Sequence, residues 1–373
     1  MVGLDQDHLL CPHSLSGVQC TRTDDFARIR MNIDGAGQAA FFTSEANGNV
    51  RCHLCPHGCV IARGSAGKCN VRMNHDGVLY LTVWGRPAAL QVNAIESMPL
   101  YHFLPGTETF CIGTAGCTMD CAFCNTSEIV SLLPNDLPFI PLDPEAVVTR
   151  ARDNGCASIS FAFNEPVACA EYMMAVSREA ARTELKCVAF TNAFVSRPVI
   201  RDVFRDIHAA NVGIKAFEVT MYRDFCKGRL DDVLRSTLEL AELGLHLELT
   251  MAVIPGLNDS TRAMQAMAAW IRDSLGMDTP LHLVPFQPSH RLTTIRKPDT
   301  QSIDKLAATA RNEGLRHVYG GTPDSAYCDT KCHKCGRVMI HRNGSTFMSI
   351  DVPASRKCPD CGTPLLMVDR RPS

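Results

Sequence analysis

Between residues 109 and 313, short apolar runs alternate with longer stretches of helical periodicity, six times over. The runs at 109–113, 158–163, 187–191, 216–220, 246–253 and 281–286 are strand-like. Between and after them, 143–153, 167–182, 198–210, 230–243, 260–274 and 303–313 read as helices. Asp143 before Pro144 supplies an N-cap and a first-turn proline, and Gly155 and Gly244 sit just past helix ends. Strand then helix, repeated, brings each new strand back parallel to the last, so the pattern predicts an α/β wrap, open or barrel-like. In such folds the reacting groups gather at the carboxyl ends of the strands.

Cysteine is the compositional outlier, at 19 of 373 residues. The thiols are clustered: Cys52, Cys55, Cys59 and Cys69; Cys111, Cys117, Cys121 and Cys124; Cys328, Cys332, Cys335, Cys358 and Cys361. Cys11, Cys20, Cys156, Cys169, Cys187 and Cys226 are scattered and read as small apolar residues or inert thiols. The first forty residues lack the apolar core of a signal peptide, and no apolar run spans a bilayer, so the cytoplasm is the expected location. In a reducing compartment clustered thiols bind metal or do chemistry rather than form disulfides. A net charge of −2 leaves no electrostatic footprint for nucleic acid or an anionic membrane.

The predicted boundaries follow these textures: an extension over residues 1–45, a cysteine-rich lobe over 46–104, the α/β unit over 105–321 and a metal-binding tail over 322–373. The most informative segment, Gly113-Thr-Ala-Gly-Cys117-Thr-Met-Asp-Cys121-Ala-Phe-Cys124, follows the first predicted strand. Three thiolates on one tight loop can hold three irons of a [4Fe-4S] cube and leave the fourth open to the amino and carboxylate groups of S-adenosylmethionine (SAM). The alternative for these residues is a structural zinc site or buried thiols. Cys328, Cys332 and Cys335 repeat the spacing, but in a turn-rich tail. There Cys332-His-Lys-Cys335-Gly and Cys358-Pro-Asp-Cys361-Gly form two knuckles that aim four thiolates at one metal, zinc or iron, leaving Cys328 spare. Cys52, Cys55, Cys59 and Cys69 suit zinc or an auxiliary iron–sulfur cluster equally well on spacing.

Taken together these segments resemble radical SAM enzymes of the AmmeMemoRadiSam type, themselves similar to activating enzymes of glycyl radical enzymes such as pyruvate formate-lyase. The resemblance rests on Cys52-His-Leu-Cys-Pro-His-Gly-Cys59, Pro99-Leu-Tyr-His-Phe-Leu-Pro105, the Cys117, Cys121 and Cys124 loop, Phe163-Asn-Glu-Pro166 and Val253-Ile-Pro-Gly-Leu-Asn-Asp259, in that order. It implies a partial (β/α)6 TIM-like barrel with small cysteine-rich lobes at both ends, and reductive cleavage of SAM to a 5′-deoxyadenosyl radical. By the same resemblance Asn164, Glu165 and Pro166 approach the SAM amino group, and Phe123 lies near adenine with Val253, Ile254 and Pro255. Thr191, Asn192, Lys215 and His282 fall at predicted strand ends, where Lys215 could pair with the SAM carboxylate and His282 could hydrogen-bond the ligand. Two positions depart from the family pattern: Gly213 stands where an aspartate is usual, and Ala193 where a glycine is.

The implied partners are a one-electron donor, a substrate that is a glycyl-radical protein, another peptide, a nucleotide or a small metabolite, and Memo-like and AMMECR-like proteins. A multi-metal electron carrier or scaffold without SAM chemistry is the competing class.

Overall fold

The computed structural model describes residues 37–131 and 140–369. Most of the expected extension, with Cys11 and Cys20, lies outside the described residues. The centre is one eight-stranded sheet: β1 (Ala89–Ala94), β2 (Glu108–Gly113), β3 (Ser158–Phe161), β4 (Lys186–Thr191), β5 (Ala209–Gly213), β6 (His246–Val253), β7 (Leu281–Pro285) and β8 (Val318–Gly320). The strands lie in chain order across the sheet, and β1 and β8 are edges that do not pair with each other. β1 runs antiparallel to β2, while every later pair is parallel. The result is an open, partial barrel, with a seventh parallel strand beyond the six expected.

Helices α1 (Pro144–Asp153), α2 (Ala170–Ala180), α3 (Arg197–Val203), α4 (Leu230–Glu242), α5 (Thr261–Ser274) and α6 (Thr300–Asn312) fall between successive strands from β2 to β8. Their starts obey side-chain capping: Asp143, Ser260 and Asp299 accept from the backbone N–H groups of Ala146, Ala263 and Ser302. One buried cluster joins the strands to these helices and runs on into residues 50–83.

The pattern reading fails around β5. Residues 198–210 read as one helix and 216–220 as the next strand. Instead α3 stops at Val203, and the strand is Ala209–Gly213, buried at every position. Ala-Ala-Asn-Val-Gly carries one β-branched residue and no breaker before it, so burial decides its state and propensity does not. Val219 is exposed and begins a helical turn that continues as a π-helix through Tyr222–Cys226.

Two small lobes flank the barrel. Phe42–Ser44, Val50–Cys52 and Val60–Ile61 make a three-stranded antiparallel sheet, and Arg72–His75 pairs with Val78–Leu81. The tail forms another three-stranded sheet from Thr330–Lys331, Val338–Asn343 and Thr346–Ile350. It is tied to the segment over residues 99–104, where Leu104 donates its N–H to Val368 and Arg342 donates to the Tyr101 carbonyl. That segment packs with Ala157, Val188 and Ala209 near the amino ends of the barrel strands. The opposite, carboxyl ends are therefore left for the cysteine loop.

Candidate active site

The Cys117 loop leaves the carboxyl end of β2 through two close approaches. A Cβ at Gly113 would lie 2.6 Å from the Ala162 carbonyl, and one at Gly116 would lie 2.7 Å from the Cys69 carbonyl. Gly116 also has φ +89, a conformation open to glycine at little cost. Asn164 then pins the loop. Its Oδ1 accepts from the Thr114 N–H at 3.0 Å, and its Nδ2 donates to the Gly116 carbonyl at 3.0 Å. From the other side, Asp120 and Ala122 donate their N–H groups to the carbonyls of Cys226 and Phe225, and Arg291 donates its N–H to Ala122.

Glu165 is buried and reaches across to β4. Its Oε1 accepts from the Thr191 hydroxyl at 2.7 Å and the Val167 N–H at 3.1 Å, and its Oε2 from the Asn192 N–H at 2.6 Å. Burial pushes this carboxyl up, against the hydrogen bonds from Asn192, Thr191 and Val167 and the charge of Lys215. Asn192 turns its amide to Cys117 Sγ at 3.7 Å and to the Thr118 hydroxyl at 3.2 Å. The Asn164–Glu165 and Thr191–Asn192 pairs thus meet at one point beside Cys117.

Lys215 closes the third side. Its ammonium occupies the space a Gly213 side chain would take, 2.7 Å from an added Cβ. Its charge favours the thiolates of Cys121 and Cys124. The departure from the family pattern at Gly213 is therefore accommodated by the lysine itself. Its own N–H donates to the Tyr222 hydroxyl, and Asn258 Nδ2 donates to its carbonyl at 2.8 Å. Asn258 Oδ1 also accepts from the Ile254 N–H at 2.7 Å, joining Lys215 to the end of β6.

Neither Asn258, inside the Val253–Asp259 landmark, nor Cys226, whose thiol bonds to that of Cys121, was among the expected site residues. An asparagine two residues after a Pro-Gly turn was the available signal for the first; nothing in the spacing marks the second.

Burial raises the thiols of Cys117 and Cys124, and the hydrogen bond with Cys226 together with burial raises that of Cys121. Three thiols so placed need a compensating cation to ionise. No three of the sulfurs from this loop come within 4.8 Å of one another, whereas Cys332, Cys335, Cys358 and Cys361 all do. A single tetrahedral ion needs sulfurs about 3.8 Å apart, given metal–sulfur bonds of about 2.3 Å. The tail is spaced for one ion.

In the tail, Cys332 Sγ is 3.5 Å from Cys361 Sγ, and Cys335 Sγ 3.5 Å from Cys358 Sγ. Gly336 and Gly362 take φ +78 and +71 after their knuckles, as the Cys-x-x-Cys-Gly reading requires. Cys328 is outside this group, its thiol donating to the carbonyls of Thr322 and Ser325. No described cysteine is in a disulfide.

Other expected residues are placed differently. Val253 and Ile254 bury their side chains in the core. Phe123 is buried against the same cluster and offers its carbonyl to the Ser289 hydroxyl. Pro166 begins the turn into α2. His282 is not at a strand end. It is the second residue of β7, three before the strand's carboxyl end, and bonds Glu248 Oε2 at 2.7 Å. Its imidazole serves the buried carboxylate and the Tyr101 and Tyr319 rings, apart from the cysteine loop.

Ala193, the other departure, holds φ +52 while fully buried. The left-handed turn lets its N–H reach Thr191 Oγ1 and the Phe194 N–H reach Asn192 Oδ1. An alanine there costs about 1–2 kcal/mol. Ala193→Gly, after the unfolded-state entropy of glycine, is expected to stabilise the protein by up to about 1 kcal/mol in denaturant melts, with the site unchanged.

The Radical SAM superfamily profile matches residues 111–267, from within β2 to the middle of α5. An uncharacterized protein of Methanocaldococcus jannaschii is 31% identical over 328 residues, spanning 87% of this chain and 97% of that protein. A radical SAM methyltransferase from Sphaerobacter thermophilus superposes with TM-score 0.47 at 17% identity, over 62% of this chain and 71% of that one. A domain of the pyruvate-formate lyase-activating enzyme from Bacteroides vulgatus gives TM-score 0.39 at 15% identity, over 43% of this chain and 97% of that domain. The chain belongs to the radical SAM superfamily.

Proposed function

We propose that this protein is a radical SAM enzyme acting at the Cys117, Cys121 and Cys124 loop. When bound, the [4Fe-4S] cluster supplies the electron that breaks a carbon–sulfur bond of SAM, giving methionine and a 5′-deoxyadenosyl radical for hydrogen abstraction. The observation that carries the reading is the meeting of Asn192 and Glu165 beside Cys117, with the Lys215 ammonium near Cys121 and Cys124.

Each residue has a separate task. The three thiolates hold the cluster, and Asn164 keeps their loop in register. Glu165 accepts three protein hydrogen bonds and keeps one of about four lone-pair sites for the SAM ammonium. Lys215 meets the SAM carboxylate, with Asn258 fixing its backbone. The edge formed by the Val253, Ile254 and Pro255 backbone, with Phe123, lines the adenine side. The four C-terminal cysteines hold a structural zinc ion.

The remaining requirements are a low-potential one-electron donor and a substrate, for which a protein is the class the activase resemblance favours. Memo-like and AMMECR-like proteins are the partners the resemblance suggests, and the cytoplasm is the proposed location. Among the described residues no helix is long and apolar enough to cross a membrane.

Lys215→Met tests the assignment. It should weaken SAM binding by roughly 10–100-fold, the value of one charge-assisted hydrogen bond, with iron content unchanged. Wild-type SAM affinity in this variant, measured by titrating the reduced cluster's EPR signal, would remove Lys215 from the site.

A further inference from the structure

The amino-terminal cysteines differ from the C-terminal four in a way that spacing in sequence does not reveal. Cys52, Cys55, Cys59 and Cys69 line one cavity, together with His57, Arg72 and Thr118. Yet no three of their sulfurs approach within 4.8 Å of one another, in the same chain whose C-terminal four do. As they stand, they are not set for a single tetrahedral ion in the way the C-terminal four are.

A second observation points into the same space. Arg72 is 1% exposed and spends its terminal nitrogens on Glu171 and the Ala40 carbonyl. Its Nε has no hydrogen-bond partner, and the residue lines the cavity with its charge within electrostatic reach of Cys52 and Cys69. A buried orphan N–H is costly and calls for an acceptor. The inorganic sulfides of an iron–sulfur cluster are such acceptors, as are metal-bound thiolates.

The cavity also touches the central loop. His57 is on the wall, and its Nε2–H donates to the Thr118 carbonyl at 2.9 Å. Thr118 follows Cys117 directly and lines the cavity itself. Gly116 is packed so closely on the Cys69 carbonyl that a side chain would collide with it. The two thiol groups are thus joined through Thr118 and the Gly116–Cys69 contact.

We propose that Cys52, Cys55, Cys59 and Cys69 hold a second [4Fe-4S] cluster that relays electrons to the Cys117, Cys121 and Cys124 loop. The site stands on its own residues; the relay role rests on the function proposed above. In the relay a low-potential one-electron donor, an iron–sulfur protein or reduced flavin, reduces the second cluster. That cluster is reoxidised as the single electron passes inward, one for each SAM cleaved.

The test is metal and sulfide analysis with EPR on the full chain carrying Cys117→Ala, Cys121→Ala and Cys124→Ala together, reconstituted anaerobically. The wild type should carry about eight irons, and the variant about four irons and four sulfides, reducible by dithionite and silent to SAM. About one zinc per chain reports that the C-terminal module is folded.

Zinc at about two per chain with no iron, or about two irons in place of four, would overturn the proposal. The converse variant, Cys55→Ser with Cys59→Ser, should lose about four irons and keep the SAM-responsive signal. If the converse variant keeps all its iron, the assignment of these cysteines fails. Should the central triple variant carry as much iron as the wild type, the function proposed above fails while the second cluster stands.

Discussion

Cys124→Ala alone is expected to reduce SAM cleavage to background and to abolish the SAM-responsive EPR signal, while the protein stays folded. The expectation follows from the ligand count. The loop offers three thiols and a cubane with an open iron needs all three, so two cannot hold it in place. Cys226 stands against Cys121, yet it reaches the loop from the π-helix through a hydrogen bond and occupies no position on the loop itself. It is not expected to substitute. Retained folding is expected because the loop is also held by Asn164, by the carbonyls of Phe225 and Cys226, and by Arg291. The checks are methionine formation under anaerobic reduction, and circular dichroism for the fold. Cleavage by the variant at more than a tenth of the wild-type rate would show that Cys124 is dispensable as a ligand.

The second large effect concerns stability. Glu248, fully buried on β6, is the hub of the polar barrel interior. It accepts the N–H groups of Tyr101 at 2.9 Å and His102 at 2.7 Å, and the rings of His246 and His282 lie 3.1 and 2.7 Å from its oxygens. Burial raises this carboxyl, but the hydrogen bonds from His246 and His282 outweigh it and hold the group well below the ordinary carboxylate range. Glu248→Gln puts an amide N–H where only donors point, and should cost about 3–5 kcal/mol, or roughly 10 °C in Tm.

Acid acts in the same direction. Burial holds His102 well below its ordinary 6.5 and His282 below it. As pH falls through that value the unfolded chain takes up protons that the folded one refuses. Below 4.5, the ordinary value for Glu248, the unfolded carboxyl adds a further proton. Stability should therefore be full above about pH 6.5, fall gently below it and fall more steeply below about 4.5. Glu248→Gln should flatten the steeper part. A variant with wild-type Tm at pH 7 would show that the hub is not a major support of the fold.

These two predictions mark what could and could not be read from residue order. The α/β alternation was legible because most strands are apolar and bounded by turn residues, and because Asp143 announces a helix start; the cap at Asp299, which starts the last helix three residues before the expected beginning, was not read. The tail knuckles were legible because local spacing sets each Cys-x-x-Cys-Gly turn. β5 was hidden by its alanines, and its burial depends on neighbours that adjoin it only in the folded sheet. His282 was misplaced because the sequence pattern does not say how deep a residue sits along a strand; Glu248, its partner, lies 34 residues away. Glu248 reaches the Tyr101 N–H over a separation of 147 residues, a distance no local pattern records. The difference between the two four-cysteine groups was likewise invisible, since it lies in sulfur separations that the fold sets.

The most direct test of the central claim is product analysis on the anaerobically reconstituted, dithionite-reduced protein incubated with SAM. The account predicts 5′-deoxyadenosine and methionine in equal amounts, with neither formed by the Cys117→Ala, Cys121→Ala, Cys124→Ala variant. A fully loaded, reduced cluster that leaves SAM intact would contradict it, as would equal product from the triple variant.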